Sequence, residues 1–368
     1  MAFILPKYHE PDFSEERFLN APDAKFIICK KDGTLPEHFH STSMYPEYFK
    51  IDGKWVLAEE SRMDSQVVIG EENGIIKLSV KEMRNVKAGD KVIVGREEDC
   101  SEGIDVHVSG FGSENGEDGE DFAFRQGRSR ETSFAKDYDN LIELLKHEKE
   151  HGNIVWVMGP AFAFDENARI AMQKMIENGY AHGLLAGNAL ATHDLEAAMF
   201  HTALGQDIYT QRNMKGGHNN HMDIINRVRT CGSIPEFIDE YKIDNGIIYG
   251  AVKNNIPFVL TGSIRDDGPL PEVYGNAYEG ANAMRSIVKN ATTVICLATM
   301  LHTIATGNMT PSFRKMSDGT IRPLYIYCVD AAEFVVNKLH DRGSLSATTM
   351  VANVQDFITR VAGGLGIL

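Results

Sequence analysis

The sequence predicts an α/β protein in which a parallel β-sheet follows a smaller β-rich domain. Three observations support this prediction: turn dipeptides divide the first third into short strands, an acidic and glycine-rich run occupies residues 112–121, and strand-like and helical segments alternate from residue 136 onwards. Such alternation implies right-handed crossovers and a sheet covered on both faces. We therefore expect a β-rich domain with an acidic linker over residues 1–121 and a second domain over residues 122–368.

Two dipeptides define hairpins in the first domain. Asp52-Gly53 and Asn73-Gly74 can adopt the positive φ angles that tight hairpin turns require. The strands predicted around them, with one more further on, are Glu47–Ile51, Lys54–Ala58, Gln66–Gly70, Ile75–Val80 and Lys91–Gly95.

The second domain shows short apolar runs between amphipathic stretches, several of which end at glycine. The predicted strands are Asn153–Met158, Gly183–Ala186, Ile256–Leu260, Thr293–Leu297, Leu324–Val329 and Thr348–Val351. The predicted helices include Lys136–Gly152, Glu166–Asn178, Thr192–Leu204, Asn276–Lys289 and Ala331–His340.

Composition narrows the range of ligands. The chain has 368 residues, 43% of them hydrophobic, and a formal net charge of −15. That charge argues against nucleic acid and anionic membranes, which need clustered Lys and Arg, and favours a small solute. The five scattered cysteines are typical of reduced thiols in the cytoplasm. No signal peptide and no apolar run of about 18 residues is recognised, so we expect a cytoplasmic protein. We also expect it to form a homo-oligomer.

Polar residues follow the predicted strands, and the run from Thr261 to Pro271 is the most informative. It places Arg265, Asp266 and Asp267 after a strand, where parallel α/β sheets bind ligands. The alternative is an acidic surface loop rich in turn residues.

The other strand ends offer anion and diol binding. Free backbone N–H groups in Gly187–Leu190 and Ala298–His302 could bind a pyrophosphate at helix starts, although no G-x-G-x-x-G motif is present. Asp330 could accept hydrogen bonds from a ribose diol or could cap the next helix. His302 could shuttle a proton or be structural.

His218 and His221 have a spacing that could suit a metal, but no third ligand completes the set nearby, so we expect no metal. Contact with the substrate or capping of a helix start is favoured for these histidines. Lys253 could be an amine catalyst or a solvated charge at the end of a helix.

Five ordered motifs carry a resemblance to a known family. They are Gly187-Asn188-Ala189-Leu190-Ala191 with His193-Asp194, Gly216-Gly217-His218, Val252-Lys253-Asn254-Asn255, Gly262 to Pro271, and Thr299-Met300-Leu301-His302 with Gly307-Asn308-Met309. In order and spacing they resemble the archaeal-type, NAD-containing ornithine cyclodeaminases. This family is also labelled as the conserved region of lysine-ketoglutarate reductase/saccharopine dehydrogenase bifunctional proteins, and it forms the C-terminal part of cyanobacterial arginine dihydrolase fusions.

The resemblance implies a Rossmann-like domain, similar to deoxyhypusine synthase in its NAD site, with tightly held NAD. The implied cofactor contacts are Asn188, Ala189, Asp267, Thr299, Met300, Leu301, His302, Asp330, Asn353 and Val354. The implied reaction turns L-ornithine into proline and ammonia: NAD⁺ takes hydride from Cα, the δ-amine attacks the imine, ammonia leaves and the hydride returns.

Roles in that reaction follow from residue chemistry. Catalysis is assigned to Asp266, Asp267, His302 and Lys253, and substrate binding to Arg265, His218 and Asn254. Two other classes stay open: a net amino-acid or hydroxy-acid dehydrogenase, and a non-catalytic NAD-binding regulator.

Two features depart from the family pattern. One is Asn353, which stands where the family commonly has an Asp, and the other is a basic segment. Arg125, Arg128 and Arg130 lie where the family is usually rich in Ser and Glu. They suggest a ligand more anionic than ornithine if they fold over the crevice. The alternative is a solvated patch that pairs with Glu114–Asp121.

Overall fold

We describe a computed structural model of the protein, which covers residues 3–111, 133–266, 268–332 and 346–368. A β-rich N-terminal region precedes an α/β region built on a parallel sheet, so the predicted fold class is confirmed. The predicted domain boundary at residue 121 and the three arginines of residues 125–130 lie outside the described residues.

The N-terminal region consists of two small antiparallel sheets. Its elements are α1 Glu16–Leu19, β1 Lys25–Ile28, β2 Glu47–Ile51, β3 Lys54–Leu57, β4 Gln66–Glu72, β5 Ile75–Lys81, β6 Lys91–Val94 and β7 Ile104–Val106. The sheets have the orders β1-β6-β4-β5 and β3-β2-β7. Both predicted hairpins are confirmed, because Asp52, Gly53, Asn73 and Gly74 have φ angles of 50°, 74°, 54° and 77°, as a primed two-residue turn requires.

The α/β region alternates strands with helices. Its strands are β8 Ile154–Met158, β9 Gly183–Gly187, β10 Thr202–Ala203, β11 Gln206–Asp207, β12 Phe258–Thr261, β13 Val273–Tyr274, β14 Thr293–Leu297, β15 Phe313–Lys315, β16 Ile321–Pro323, β17 Tyr325–Asp330 and β18 Ala347–Val351. Its described helices are α2 Ala135–His151, α3 Glu166–Glu177, α4 Asn188–Phe200, α5 Asn220–Cys231, α6 Ile234–Tyr241, α7 Ile247–Lys253, α8 Ala277–Val288, α9 Met300–Met309 and α10 Val354–Gly364.

Seven strands form one parallel sheet in the order β13-β12-β9-β8-β14-β17-β18. The chain starts in the middle at β8 and proceeds outwards through β9, β12 and β13. It then returns to β14, on the other side of β8, and proceeds outwards through β17 and β18. The direction in which the chain adds strands to the sheet therefore reverses between β8 and β14, although the strands stay parallel. Open α/β sheets bind ligands at such a switch point.

Both faces of the sheet are buried. In β8, Ile154, Trp156 and Met158 belong to one core, which is shared with α2, α3, α4 and α10. Val155 and Val157 belong to a second core with residues of α8. Alternation along a strand sends successive side chains to opposite faces, so a strand that is apolar at every position can fill both cores.

The N-terminal region is fixed to the α/β region by polar contacts. Arg285 of α8 pairs with Glu60 at 2.6 Å, and the Ser312 hydroxyl donates to the carbonyl oxygen of Ser61 at 3.0 Å.

Within the described ranges, no helix is long and apolar enough to cross a membrane.

Candidate functional site

The strand ends at the switch point approach each other through their backbones. The Gly159 N–H, just after β8, donates to the carbonyl oxygen of Leu297 at 2.8 Å. A Cβ atom on Gly159 would lie 1.9 Å from the carbonyl oxygen of Ala298, which is far inside van der Waals contact. Glycine is therefore required at this edge of the crevice, because any side chain would push the two strand ends apart.

Two helices begin at the carboxyl edge of the sheet without a side-chain cap. Neither Gly187, which precedes α4, nor Thr299, which precedes α9, caps its helix with a side-chain hydrogen bond. By contrast, Asp165 and Asn276 cap α3 and α8. The first N–H groups of α4 and α9 are thus available to an anion, and the helix dipoles favour negative charge there.

Asp330 ends β17 on the same edge. Its Oδ1 accepts a hydrogen bond from the Ala332 N–H at 2.8 Å. Most of the helix predicted at Ala331–His340 lies outside the described residues, so its capping by Asp330 stays a prediction. No described residue bonds its Oδ2. Because a carboxylate has several lone pairs, this oxygen can still accept from a hydroxyl.

His302 lies across the end of β9. Its Nε2 is 2.5 Å from the Thr261 hydroxyl and its Nδ1 is 3.2 Å from the Thr299 hydroxyl. Gly187 makes room for the ring, since a Cβ there would be 3.0 Å from His302 Cε1. His302 therefore bonds the ends of β12 and β14 at once, and both of its nitrogens are engaged by hydroxyls.

Burial lowers the pKa of His302 below the usual value for histidine, and the nearby charge of Asp266 opposes this shift. The ring is therefore neutral at pH 7. Asp266 is fixed in turn, because its Oδ2 accepts from the Ser263 N–H at 2.8 Å.

We expect the change Asp266→Asn to lower the pKa of His302 further. Asparagine keeps the oxygen that accepts from Ser263 but removes the charge that favours the imidazolium form. An NMR titration of the His302 ring should show a midpoint at lower pH than in the wild type. The exposed Asp239→Asn change, on α6, serves as the control and should leave the midpoint in place; a rise in the Asp266→Asn variant would contradict the assignment.

Comparison with known proteins supports this description. Residues 140–361 match the family model of the arginine dihydrolase ArgZ-like C-terminal Rossmann fold. Residues 46–132 match the model of the first region of the same C-terminal part. The chain belongs to the ArgZ-like C-terminal family.

Two relatives align with most of this chain. An ornithine cyclodeaminase of Methanocaldococcus jannaschii is 37% identical over 90% of this chain and 75% of its own length. The crystal structure of a conserved LOR/SDH protein from Methanococcus maripaludis S2 has a TM-score of 0.83 at 34% identity, covering 94% of this chain and 98% of the other.

A further relative is a fusion protein. The bifunctional arginine dihydrolase/ornithine cyclodeaminase AgrE of Nostoc sp. is 34% identical, and the alignment covers 92% of this chain but 46% of AgrE. The crystal structure of the ternary complex of AgrE with ornithine and NAD⁺ has a TM-score of 0.58 at 31% identity, with 94% of this chain and 46% of the other covered.

Most of the predicted site residues of this ArgZ-like chain lie at the carboxyl edge. Asn188 and Ala189 begin α4, Thr299 to His302 begin α9, and Asn353 and Val354 begin α10 after β18. Two of these side chains are already engaged: Asn188 Oδ1 accepts from the Leu270 N–H at 3.0 Å, and Asn353 Oδ1 caps α10. Val354 is buried, whereas Met300 and Leu301 are exposed. Cofactor contact at these positions stays a prediction.

The loop after β12 contributes the predicted substrate contacts. Arg265 is exposed, and no described residue forms an ion pair with it. Its guanidinium is thus available to a carboxylate. Asp267 lies outside the described residues, so its predicted roles stay predictions.

Two predicted site residues are at the opposite edge of the sheet, and this corrects their assignment. Lys253 ends α7 and Asn254 follows it, both shortly before β12 begins. Residues that precede a parallel strand lie at its amino end, away from the crevice. Lys253 forms an exposed ion pair with Asp239 at 2.7 Å, and the Asn254 amide donates to the carbonyl oxygen of Gly250 at 2.8 Å.

The two histidines of residues 216–221 lie at the start of α5 and in the turn before it. His218 is exposed in a short 3₁₀ turn, Gly217–Asn219, and His221 lies in the first turn of α5. In the ranges that the structure describes, no three His, Cys, Asp or Glu side chains are placed to hold a metal ion.

Thr261 and His193 were named in sequence motifs, but the sequence assigned no role to them or to Glu196. Thr261 bonds His302, and it directly follows an apolar run. His193 and Glu196 form a buried pair in α4. Its spacing of three residues is a helical contact, and its further partners lie in the turn that directly follows α4.

Proposed function

We propose that the protein is an NAD-dependent enzyme of the ornithine cyclodeaminase type, which converts L-ornithine into proline and ammonia. The observation that carries the proposal is the switch point between β8 and β14, which is flanked by the uncapped starts of α4 and α9. Relatives named ornithine cyclodeaminase align with this chain over most of their own length. AgrE has been crystallised with ornithine and NAD⁺.

The residues of the crevice fit NAD. The free N–H groups that begin α4 and α9 suit a pyrophosphate, and the available oxygen of Asp330 suits a ribose diol. When bound, NAD supplies a reversible hydride acceptor. The net conversion of ornithine to proline and ammonia is redox-neutral, so the cofactor has no need to leave, and we expect the purified protein to retain it.

The chain itself binds and orients the substrate in this proposal. Arg265, a planar donor with no described ion partner, would hold the α-carboxylate through two parallel hydrogen bonds. Asp266 places a negative charge at the same strand end and suits a substrate ammonium. His302 and Thr261 provide a hydroxyl–imidazole pair that can move a proton without a change in net charge.

Replacing Asp330 by alanine should weaken NAD retention by about 1–3 kcal/mol, the scale of a lost hydrogen bond to a charged group. Mass spectrometry of denatured protein gives the amount of dinucleotide that is retained. Asp318→Ala is a matched control, because Asp318 also accepts a backbone N–H two residues on, from Thr320 at 2.9 Å, in an exposed turn. Equal NAD content in the two variants would contradict the role of Asp330.

The function is tested by incubating the protein with a panel of amino acids and measuring released ammonia. We expect release from L-ornithine and much less from lysine or arginine, whose longer side chains close larger rings or none. Ammonia from none of them, with NAD bound and the fold intact, would contradict the proposal and favour a regulatory role. Release that requires added NAD⁺ in stoichiometric amounts would indicate a net dehydrogenase.

A further inference from the structure

A buried histidine–carboxylate pair lies in α4, beside the crevice. His193 Nδ1 is 2.8 Å from Glu196 Oε2, and the two residues are 7% and 0% exposed. Along the helix axis, His193 is about 7 Å from Asn188, where α4 leaves the sheet. Its ring packs edge-on against Phe164 with centroids 5.6 Å apart. Phe164 belongs to the turn Pro160–Phe164 that follows β8, so the pair is on the carboxyl side of the sheet.

The further partners of Glu196 are all hydrogen-bond donors. Oε1 accepts from the Thr202 hydroxyl at 2.8 Å and from the Gly205 N–H at 3.2 Å, and Oε2 accepts from the Leu204 N–H at 3.2 Å. The Thr202 hydroxyl is a donor here because its oxygen already accepts from the Asn220 amide at 2.7 Å. With three donors placed around it, the carboxyl group of Glu196 acts as an acceptor at both oxygens.

Because Glu196 acts as an acceptor, it fixes the tautomer of His193. Nδ1 must carry the proton that is donated to Oε2, so Nε2 of the neutral ring has an unshared electron pair. No described residue hydrogen-bonds Nε2, and Nε2 is not among the described buried side-chain atoms that lack a partner, so it keeps some solvent-accessible surface. The ring of His221 lies 6.0 Å away, and its Nδ1 is buried without a described partner.

These features differ from those of His302, whose nitrogens both contact hydroxyls. A ring held at Nδ1 by a carboxylate and bare at Nε2 is the arrangement of a general base. We propose that His193 is the catalytic base of the site and accepts a proton from the side-chain ammonium of an amino-acid substrate, with Glu196 as its positioning residue. This inference rests on the proposed function.

The step balances as a simple proton transfer. An aliphatic ammonium is protonated at neutral pH, with a pKa of about 10.4 for a lysine-like amine, and has no electron pair for ring closure. The N–H bond of the ammonium breaks, an N–H bond forms at Nε2, and the amine keeps the electron pair. Glu196, already bonded to Nδ1, stabilises the imidazolium that results.

The test combines NMR with kinetics. In ¹⁵N spectra of the wild type, His193 should show a protonated Nδ1 and a bare Nε2, and the Nε2 signal should move when L-ornithine is added. His193→Gln should lower kcat about 100-fold or more, with KM changed less than threefold and NAD retained. Glu196→Gln should lower kcat and shift the tautomer towards protonated Nε2, an effect that a purely structural role would not produce. His151→Gln, on the exposed end of α2, is the control and should keep the wild-type kcat.

Each outcome decides between the two proposals. The inference would be overturned if the wild type and His193→Gln turned over ornithine at equal rates and the Nε2 signal did not shift when ornithine was added. The proposed function would then remain intact. Absence of turnover by the wild type with NAD bound would overturn both. A proton on Nε2 in the wild type at neutral pH would overturn the inference whatever the kinetics show.

Discussion

Replacing Glu148 by glutamine is expected to lower the free energy of unfolding by about 3–5 kcal/mol, the usual result of breaking a buried ion pair from one side. Glu148 is 0% exposed and Arg322, its partner at 2.8 Å, is 2% exposed. Glu148 also accepts from the hydroxyls of Thr292 and Thr293, and so it connects α2 to β14 and β16. The neutral amide would leave the Arg322 charge buried without compensation.

Chemical denaturation of both proteins measures this effect, and Asp239→Asn is the control. Asp239 and Lys253 form an ion pair of similar length, 2.7 Å, but are 71% and 45% exposed, so its loss should change stability by less than about 0.5 kcal/mol. A loss below about 1 kcal/mol for Glu148→Gln would show that the buried pair contributes little.

The stabilisation by Glu148 should also depend on pH. Burial raises its pKa, but the charge of Arg322 and the hydrogen bonds from Thr292, Arg322 and His147 outweigh burial, so the pKa is held below its usual value. Stability from such a group is present above its unfolded pKa and is lost as the pH falls through its folded pKa. The difference between wild type and Glu148→Gln should therefore narrow in acid.

The second large effect is expected from Gly159→Ala. The added Cβ would lie 1.9 Å from the carbonyl oxygen of Ala298, and a backbone atom cannot rotate out of the way. We expect a loss of stability of about 3 kcal/mol or more, together with a fall in NAD retention, because the ends of β8 and β14 border the proposed site.

Gly275→Ala separates this clash from the general effect of adding a methyl group. A Cβ at Gly275 meets nothing within 4 Å, and its φ is not in the left-handed region, so stability should change by less than about 0.5 kcal/mol. Thermal unfolding and the dinucleotide content of both variants provide the readout. Wild-type stability and NAD content in Gly159→Ala would refute the close approach at the switch point.

The architecture was largely predictable because the strands of the parallel sheet are apolar at successive positions. β14 was predicted with its observed bounds, and β8, β9 and β17 within one residue. The strands β1 and β7 escaped prediction. β1, Lys25–Ile28, is exposed along its whole length, and β7 has three residues, so neither shows the alternation of a half-buried strand.

The start of α4 shows a limit of local signals. The sequence predicts this helix from Thr192, but it begins at Asn188, directly after β9. The residue before it is Gly187, which supplies no side-chain cap, so the usual Ser, Thr or Asp signal is missing. The same missing cap leaves the N–H groups available to a ligand, and the feature that hid the helix start is thus part of the proposed site.

The rule that ligands bind at the carboxyl ends of parallel strands selected some residues of the candidate site but not His193. It selected Asp266, His302 and Asp330 because the carboxyl ends of parallel strands share one edge. It did not support Lys253, which was taken from a motif before β12 and lies at the other edge. The environment of His193 depends on Thr202, Leu204 and Gly205, which follow α4 and turn back onto Glu196, and we recognised no sequence signal for that turn.

The stoichiometry of one reaction distinguishes a redox-neutral cyclodeaminase from a net dehydrogenase. Purified protein, without added cofactor, is incubated with L-ornithine while proline, ammonia and absorbance at the reduced nicotinamide band are followed. We predict equimolar proline and ammonia over many turnovers, with no accumulation of reduced nicotinamide beyond the enzyme concentration. Reduced nicotinamide that rises in step with ornithine consumption, or no proline at all from protein that carries NAD, would contradict the account.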